Sequence, residues 1–486
     1  MTRAVSWNLM RHRTGSERVT NVELFFDLVY VFAVTQLSQY LLNHRSPEGW
    51  LRTGLLLTMV WLVWAYTTWV TNWLDPERIA VRLLLLALVP ASLVMSAALP
   101  EAFGARGLVV GAAYAAMQIG RSAFAVVALK GQPLQRNYQR ILAWCVISGA
   151  LAVAGGIVAG HARELLWVAA VGVDLLGGIV GFYTPGLGRS STAEWTIEGG
   201  HFAERCQAFI LIALGESIVV IGATLSRLHQ ITGAEIGAFV VALIGTIGLW
   251  WLYFDRSAEE GARVIAASSD PGRLGRSAYH LIHPFMVGGI IAVAAGDEVV
   301  LSHPGAVGEA PVSWLVLGGT ALFIAGHAAY KASLWRRISW PRMGAIAALG
   351  LLGLLAPHVS ALILGSCAAA VVIAVAAVDQ ATTPRRRRPT RPRRSADCPA
   401  HRPVCEPVVS LCPGQVRQVP GGRVWAQHLP RASDVPHARR SEAVEARPGL
   451  NRPVGLIRSA GAPWPGARGR RAASQRLPPR SACRGG

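Results

Sequence analysis

Charged residues are scarce in this chain for its length. Of its 486 residues, 15% are charged and 52% are hydrophobic. The hydrophobic residues come in blocks of about 20, the length of helix that crosses the roughly 30 Å hydrocarbon layer of a bilayer. This composition argues against a soluble globular protein and predicts an all-α bundle of transmembrane helices.

Motifs for metal binding and catalysis are also lacking. Three of the seven cysteines (Cys145, Cys206 and Cys367) stand alone in apolar blocks, and the four in the tail lack histidine partners at zinc-site spacing. The chain has no Ser-His-Asp order, no H-E-x-x-H and no aspartate-rich phosphate motif. We therefore predict no metal, no cofactor and no catalytic residue, and do not expect an enzyme.

Twelve membrane spans are favoured, although counts of ten or eleven are also compatible with the hydropathy pattern. The first apolar run holds two carboxylates and no small-residue cleavage site, so we interpret it as a retained helix, not a signal peptide. The predicted spans are 22–42, 51–73, 80–99, 107–129, 139–160, 164–183, 202–225, 234–254, 279–297, 312–332, 343–356 and 358–378. We divide the chain into an N-terminal arm (1–20), a transmembrane domain (21–379) and a tail (380–486).

The distribution of Lys and Arg between alternate loops predicts the orientation. With twelve spans and the N-terminus inside, 18 basic residues fall on the cytoplasmic side and 5 on the other. Cytoplasmic loops carry the excess of positive charge in membrane proteins. We therefore predict a multi-pass protein of the cytoplasmic membrane with both termini in the cytoplasm.

The tail differs sharply from the rest of the chain. Residues 380–486 hold 22 Arg, no Lys and 5 acidic residues, with many Pro, Gly and Ser. Such a segment cannot bury enough apolar surface to fold, so we predict disorder. Its arginines could attract anionic lipid headgroups. Nucleic acid is not an expected partner, because no folded module accompanies the arginines.

The first predicted span carries two carboxylates, Glu23 and Asp27, four residues apart. This spacing places both on one helical face. A carboxylate at the centre of a membrane helix costs about 2.5–3.5 kcal/mol on insertion scales, so it needs a reason. We predict that the pair faces the interior of the bundle.

Two further polar groups lie in the seventh and ninth spans. His201, Glu204, Arg205 and Glu216 fall within an arc of about 120° on one helix. His280 and His283 begin the ninth span, and histidine titrates near neutral pH. At the end of that span, Asp297 and Glu298 are expected in water. Arg121 and Asp174 stand alone in apolar runs and could pair with each other or with the other groups.

A weak internal repeat relates the first and seventh spans. Asp27 is followed eight residues later by Thr35, and Glu216 eight residues later by Thr224. Each helix begins a set of six spans, so the pattern would suit a parallel duplication of 21–183 and 201–379. The two acidic helices would then meet near the pseudo-axis.

The segments Arg18–Thr35, His201–Val219 and Tyr279–Glu298 resemble the bacterial low temperature requirement A family. The resemblance covers roughly residues 15–378 and implies a membrane location, but no established substrate or reaction. Cys206 departs from the aromatic or small residue that is expected there. The matching motif residues are Glu23, Phe25, Phe26 and Asp27 in the first motif and Glu204, Arg205, Gly215, Glu216 and Ser217 in the second.

The leading functional hypothesis is a transporter or an ion-conducting protein for an unknown small solute or ion. Asp27 and Glu216 would bind the ion or proton, Arg205 would be their counter-ion, and His201, His280 or His283 would relay protons. The alternatives are a non-transporting membrane sensor or scaffold and, less favoured, a membrane-embedded enzyme acting on lipid. The oligomeric state does not follow from the sequence.

Overall fold

The computed structural model describes residues 9–11, 18–195, 197–228 and 231–382. The predictions for the tail, and most of those for the N-terminal arm, lie outside the described residues. Within them the chain is helical, and extended pairing is limited to isolated bridges such as Met10–Leu74.

Helices follow one another with short connections. The first eight are α1 (Asn21–Asn43), α2 (Pro47–Trp73), α3 (Ile79–Ala98), α4 (Gly107–Ala128), α5 (Leu134–Ile157), α6 (His161–Val180), α7 (Gly199–Arg227) and α8 (Gly233–Phe254). The remainder are α9 (Ser257–Ala266), α10 (Pro271–Leu274), α11 (His283–Ser302), α12 (Ala310–Ser313), α13 (Gly319–Trp335), α14 (Trp340–Leu355) and α15 (Ala361–Thr382). Two π-helical segments, Gly275–Leu281 and Trp314–Gly318, join α10 to α11 and α12 to α13.

Eleven helices of the described chain are long and apolar enough to cross a membrane. This confirms the predicted helical membrane bundle. α6 is not among the eleven: its 20 residues include Arg163, Glu164 and Asp174. It nevertheless packs along α5 and against α2. Arg163 bonds the carbonyl of Ala102 at one end, and at the other the carbonyl of Gly181 accepts from the N–H of Ser190 in the loop before α7.

The start of α1 and the end of α15 lie on the same side of the described helical bundle, and we call this side the near end. His201, at the start of α7, bonds Glu23 at the start of α1. Gln207 of α7 bonds the carbonyl oxygen of Ala258 in α9, and Arg256, just before α9, bonds Gln380 near the end of α15. The first and last helices therefore begin and end at the near end.

Burial is greatest at the centre of the bundle, in α2 and in the run Pro271–Ser302. Of their most apolar windows, 78% and 83% is buried inside the protein. The outer helices turn large apolar side chains such as Leu83, Leu165 and Leu354 outward. Outward apolar surface suits contact with lipid, where backbone polar groups must be satisfied within each helix.

Helices α1 and α7 pack side by side and run in the same direction. Asp27 meets Arg205, and eight residues further along α1, Thr35 meets Glu216. α1 also packs on α3 as α7 packs on α11, which are equivalent neighbours in a six-plus-six arrangement. The duplication itself stays a prediction.

Close approach of α4 and α5 depends on glycine. A Cβ at Gly111 would overlap the carbonyl oxygen of Ala152, and one at Gly156 would lie 2.7 Å from the Cα of Leu108. A larger residue at either position would push α4 and α5 apart, and the two helices would then lose packing contacts along their length.

We expect Gly111→Ala to lower the free energy of unfolding by about 1–3 kcal/mol, since the added methyl forces α4 and α5 apart. Gly120, on the same helix, is the matched control, because a Cβ there meets no described atom within 4 Å. Gly120→Ala should be neutral or stabilising, because alanine favours helix over glycine by about 1 kcal/mol. Denaturant unfolding of both variants in detergent measures the difference, and equal stability would contradict the packing argument.

Candidate functional site

The start of α1 is fixed by its own side chains. Glu23, in the first turn, accepts hydrogen bonds from the backbone N–H of Thr20 at 3.0 Å and from its hydroxyl at 2.9 Å. A glutamate that reaches back in this way satisfies a backbone donor that the helix leaves unpaired. Glu23 is thus held at the near end, one turn before Asp27.

Asp27 forms a bidentate ion pair with Arg205 of α7. The Nε and a terminal nitrogen of Arg205 donate to the two carboxylate oxygens at 2.9 and 2.5 Å. Trp64 of α2 donates to the same carboxylate at 2.7 Å, and its ring lies 5.7 Å from the guanidinium carbon. All three side chains are buried. The planar guanidinium of arginine can make such bidentate hydrogen bonds to a carboxylate, whereas the ammonium group of lysine cannot.

Glu23 shares the same arginine. Arg205 donates to it at 3.0 Å and to the hydroxyl of Thr71 at 3.1 Å, while Arg11 lies 3.4 Å from its other oxygen. His201 approaches Glu23 at 3.1 Å. Both carboxylates of α1 are therefore saturated with donors.

The ring of His201 has an assignable tautomer. Its Nδ1 lies 3.2 Å from the side-chain nitrogen of Asn72, which can only donate. Nδ1 is then the acceptor, and Nε2 carries the proton that it donates to Glu23. With His201 neutral, the charges of Glu23 and Asp27 are matched by those of Arg205 and Arg11.

We call the group Glu23, Asp27, His201 and Arg205, with Trp64 and Asn72, the ion-pair cluster. It joins α1, α2 and α7. Removing one member of a buried ion pair leaves a charge without compensation, which costs about 3–5 kcal/mol. The cluster therefore acts first as a cross-link between helices.

Glu204 lies outside the ion-pair cluster. Its side chain is exposed, and its described contact is a 3.3 Å hydrogen bond from the backbone N–H of Val19. It differs in this from Arg205, its chain neighbour, which points inward. Glu204 is thus available as a control position on the same helix.

Glu216 lies about 12 Å further along the interface of α1 and α7, estimated from the helical rise between Asp27 and Thr35. The hydroxyl of Thr35 donates to its Oε2 at 2.6 Å. Its Oε1 is buried and has no hydrogen-bond partner among the described residues. Below, a buried polar atom that has no hydrogen-bond partner among the described residues is called unsatisfied. Asp27 and Glu216 thus face the same interface in two separate layers.

A second carboxylate lies near Glu216. Glu298 of α11 interacts electrostatically with it and accepts from Gln39 of α1 at 3.0 Å. The expectation that Glu298 lies in water was wrong, because α11 continues to Ser302 and places Glu298 one turn inside the helix. The cation described near it, Arg227 at 3.4 Å, has a side chain that is 65% exposed.

His280 and His283 do not join the ion-pair cluster. His283 is buried among aromatic rings; its Nδ1 bonds the carbonyl of Ala278 at 2.9 Å, and its Nε2 meets the hydroxyl of Tyr253 at 2.8 Å. Both ring nitrogens are used, which suits a packing role. His280 instead lines a cleft on the other side of α2.

Arg121 and Asp174 are linked through a third side chain. Arg121 donates to the amide oxygen of Gln118 at 2.6 Å, and the amide nitrogen of Gln118 donates to Asp174 at 2.7 Å. The predicted pairing is therefore indirect. Gln118, one turn before Arg121 on α4, was not singled out from the sequence.

Sequence reasoning also missed the contribution of α2. Trp64 and Asn72 complete the ion-pair cluster, and Thr71 accepts a hydrogen bond from Arg205. All three lie in a segment whose sequence is typical of an ordinary aromatic-rich span. The available signal was the polar run Thr67-Thr68 and Thr71-Asn72 near the end of an apolar helix. Within the described residues, no three His, Cys, Asp or Glu side chains form a group that could hold a metal ion.

Comparison with known proteins covers nearly all of the helical bundle. The chain matches the family model for bacterial low temperature requirement A protein (LtrA) over residues 18–377. An uncharacterised protein of Rhizobium meliloti (strain 1021) is 38% identical over 321 residues, which cover 65% of this chain and 78% of that protein. No solved structure matches the chain.

We expect Arg205→Gln to destabilise the protein by about 3–5 kcal/mol, because it leaves two buried carboxylates without their shared cation. Arg52→Gln is the control: Arg52 also makes two bonds to one carboxylate, Glu164, but both side chains are partly exposed, at 25% and 22%. That pair should be worth about 1 kcal/mol or less.

The same experiment has an internal check. Adding Asp27→Asn to Arg205→Gln removes one of the stranded charges, so the double variant should be more stable than Arg205→Gln alone. Resistance to chemical denaturant in detergent ranks the variants. If Arg205→Gln and Arg52→Gln lost equal stability, the ion-pair cluster would not be the cross-link described.

Proposed function

This chain belongs to the family of bacterial low temperature requirement A proteins, as its motifs predicted, and from that premise we propose that it is a transporter or an ion-conducting protein. The observation that carries the proposal is Glu216, a buried carboxylate with one unsatisfied oxygen between two parallel helices. Intramembrane carboxylates without a close cation commonly mark ion or proton pathways.

The surroundings of Glu216 support an ion or proton site. Glu298 adds a second negative group, and further along α1 and α7 the hydroxyls of Ser38 and Thr224 are also unsatisfied. Two interacting carboxylates, one of which accepts from the hydroxyl of Thr35, form the ligand chemistry of a small hard cation or of a shared proton. The unknown solute or ion of this proposal would bind here.

The ion-pair cluster would close the near end of the same interface. In this conformation Arg205 forms ion pairs with both Glu23 and Asp27, and Arg11 supplies the second positive charge. Passage from the near end to Glu216 would require α1 and α7 to separate, which breaks these bonds. Asp27 and Arg205 would then act as a gate, and His201 as the group that exchanges a proton with Glu23.

We place the protein in the cytoplasmic membrane with the near end in the cytoplasm. Arg78, Arg82, Lys130, Arg136 and Arg256 all lie in or beside near-end connections. The excess of positive charge at that end supports this orientation. Both ends of the described bundle would then face the cytoplasm.

We expect Glu216→Gln to lower ion or proton flux at least tenfold, because the amide keeps the contact with Thr35 but cannot carry the charge or the proton. Asp27→Asn should also change the flux, because it removes one charge of the ion pair that closes the near end. The measurement is H⁺, Na⁺ and K⁺ flux into liposomes that contain the purified protein. Glu204→Gln, which changes an exposed carboxylate on the same helix, should leave the flux unchanged. Wild-type rates for all three ions in Glu216→Gln and Asp27→Asn would refute the proposal.

The orientation has its own test. A fluorescent protein that matures only in the cytoplasm, fused after residue 382, should be fluorescent. The same reporter inserted in the connection between α7 and α8 should be dark, since that connection lies at the far end. The reverse pattern would show that the near end faces outward.

A further inference from the structure

A cleft on the opposite side of α2 from the ion-pair cluster has the features of a ligand site. It lies between α2, α4, α5, α6 and the π-helical segment Gly275–Leu281. π-Helical turns often occur at functional sites. None of the residues that line this cleft belongs to the ion-pair cluster or to the surroundings of Glu216.

Three unsatisfied atoms come from residues that line this cleft: the hydroxyl of Tyr138, Oδ1 of Asp174 and Nδ1 of His280. The three residues are 2%, 1% and 8% exposed. A buried polar atom without a partner is costly, by about 1–3 kcal/mol. Three such atoms around one cleft indicate a site that is completed by a bound molecule.

Asp174 is held in place by its other oxygen. Oδ2 accepts from the hydroxyl of Tyr114 and from the amide of Gln118, which in turn accepts from Arg121. Ser148 is close to Asp174, but its hydroxyl donates to the carbonyl of Cys145 at 3.3 Å. Oδ1 is therefore oriented by the protein yet remains unsatisfied.

Aromatic rings form the walls of the cleft. Trp195 packs against Trp69 and Tyr138 with ring centres 5.7 and 5.9 Å apart, and Tyr66 packs against Phe182 and His280 at 6.3 and 5.6 Å. Aromatic faces attract both flat apolar groups and cations.

The cationic side chains of the cleft are already engaged. Arg121 donates to the carbonyl of Val63 as well as to Gln118, and its guanidinium lies 5.2 Å from the ring centre of Tyr66. Arg276 donates to the carbonyl of Gly178 at 2.7 Å. Among the charged groups of the cleft, Asp174 is the one with an unsatisfied atom, and an ionised carboxylate can only accept a hydrogen bond.

We propose that this cleft binds a small amine with an aromatic or apolar body, whose N–H group donates to Asp174. The body would lie against Tyr66 and Trp195, and Tyr138 and His280 would accept or donate the remaining hydrogen bonds. An anionic ligand would place its charge against Asp174. This inference concerns binding and does not depend on the proposed ion path.

The test uses the full-length protein in detergent and isothermal titration calorimetry with three probes that share one ring. 2-Phenylethylamine should bind at least tenfold more tightly than phenylacetate, with 2-phenylethanol between them. Asp174→Asn should weaken binding of the amine at least tenfold and bring the amine and the alcohol together. Glu164→Gln, which removes a carboxylate at the other end of α6, should leave the binding unchanged.

Tyr138→Phe provides a second variant whose folding is not at risk, because the hydroxyl that it removes is unsatisfied. It should weaken binding of the amine several-fold without lowering stability. No measurable binding of any probe to the wild-type protein, or amine binding that is unaltered in Tyr138→Phe and Asp174→Asn, would overturn the proposal. Glu216→Gln should retain amine binding, so a failed ion path and a failed amine site give different results.

Discussion

The fold depends on one buried guanidinium group. Arg205 cannot lie inside a membrane bundle without negative partners, since an isolated charge there is far too costly. Asp27 and Glu23 supply the charge, and each needs Arg205 in turn. This mutual requirement fixes the distance, the relative rotation and the parallel direction of α1 and α7.

The interface of these two helices contains two layers of carboxylates, which differ in whether every oxygen has a hydrogen-bond donor. In the near-end layer every carboxylate oxygen of Asp27 and Glu23 has a donor. In the second layer Glu216 receives one hydroxyl and keeps an unsatisfied oxygen. A saturated group stabilises a conformation, whereas an unsatisfied group has capacity for a ligand. The two carboxylates that look equivalent in sequence therefore differ in what they can do.

The sequence predicts the membrane-spanning helices well, because the length of an apolar run, about 20 residues, is set by the thickness of the bilayer and not by the packing of neighbouring helices. It also predicts that Asp27 and Arg205 face inward, since a lone charge facing lipid is costly. Arg205 was predicted as the counter-ion of both Asp27 and Glu216, but it bonds Asp27 and not Glu216. The sequence could not predict this difference, because it depends on the register between α1 and α7. The opposite directions of Arg205 and Glu204 are likewise a consequence of packing.

The error at Glu298 has a simple physical origin. Hydropathy places the end of a span at its first charged residues, but a helix can continue when a neighbour satisfies the charge. Gln39 of α1 does so here, and α11 extends to Ser302. Charged residues near predicted span ends are thus ambiguous until the partner helix is known.

The central helix α2 links the two candidate sites. On a helical wheel Trp64 and Thr71 lie within about 20° of each other, while Tyr66 and Trp69 lie about 140–160° away. The first pair bonds the ion-pair cluster and the second lines the aromatic cleft. A rigid helix cannot move one face without moving the other. Displacement of α2 by a molecule in the cleft would therefore strain the bonds of Trp64 and Thr71 to Asp27 and Arg205, which is a physical route for coupling between the sites.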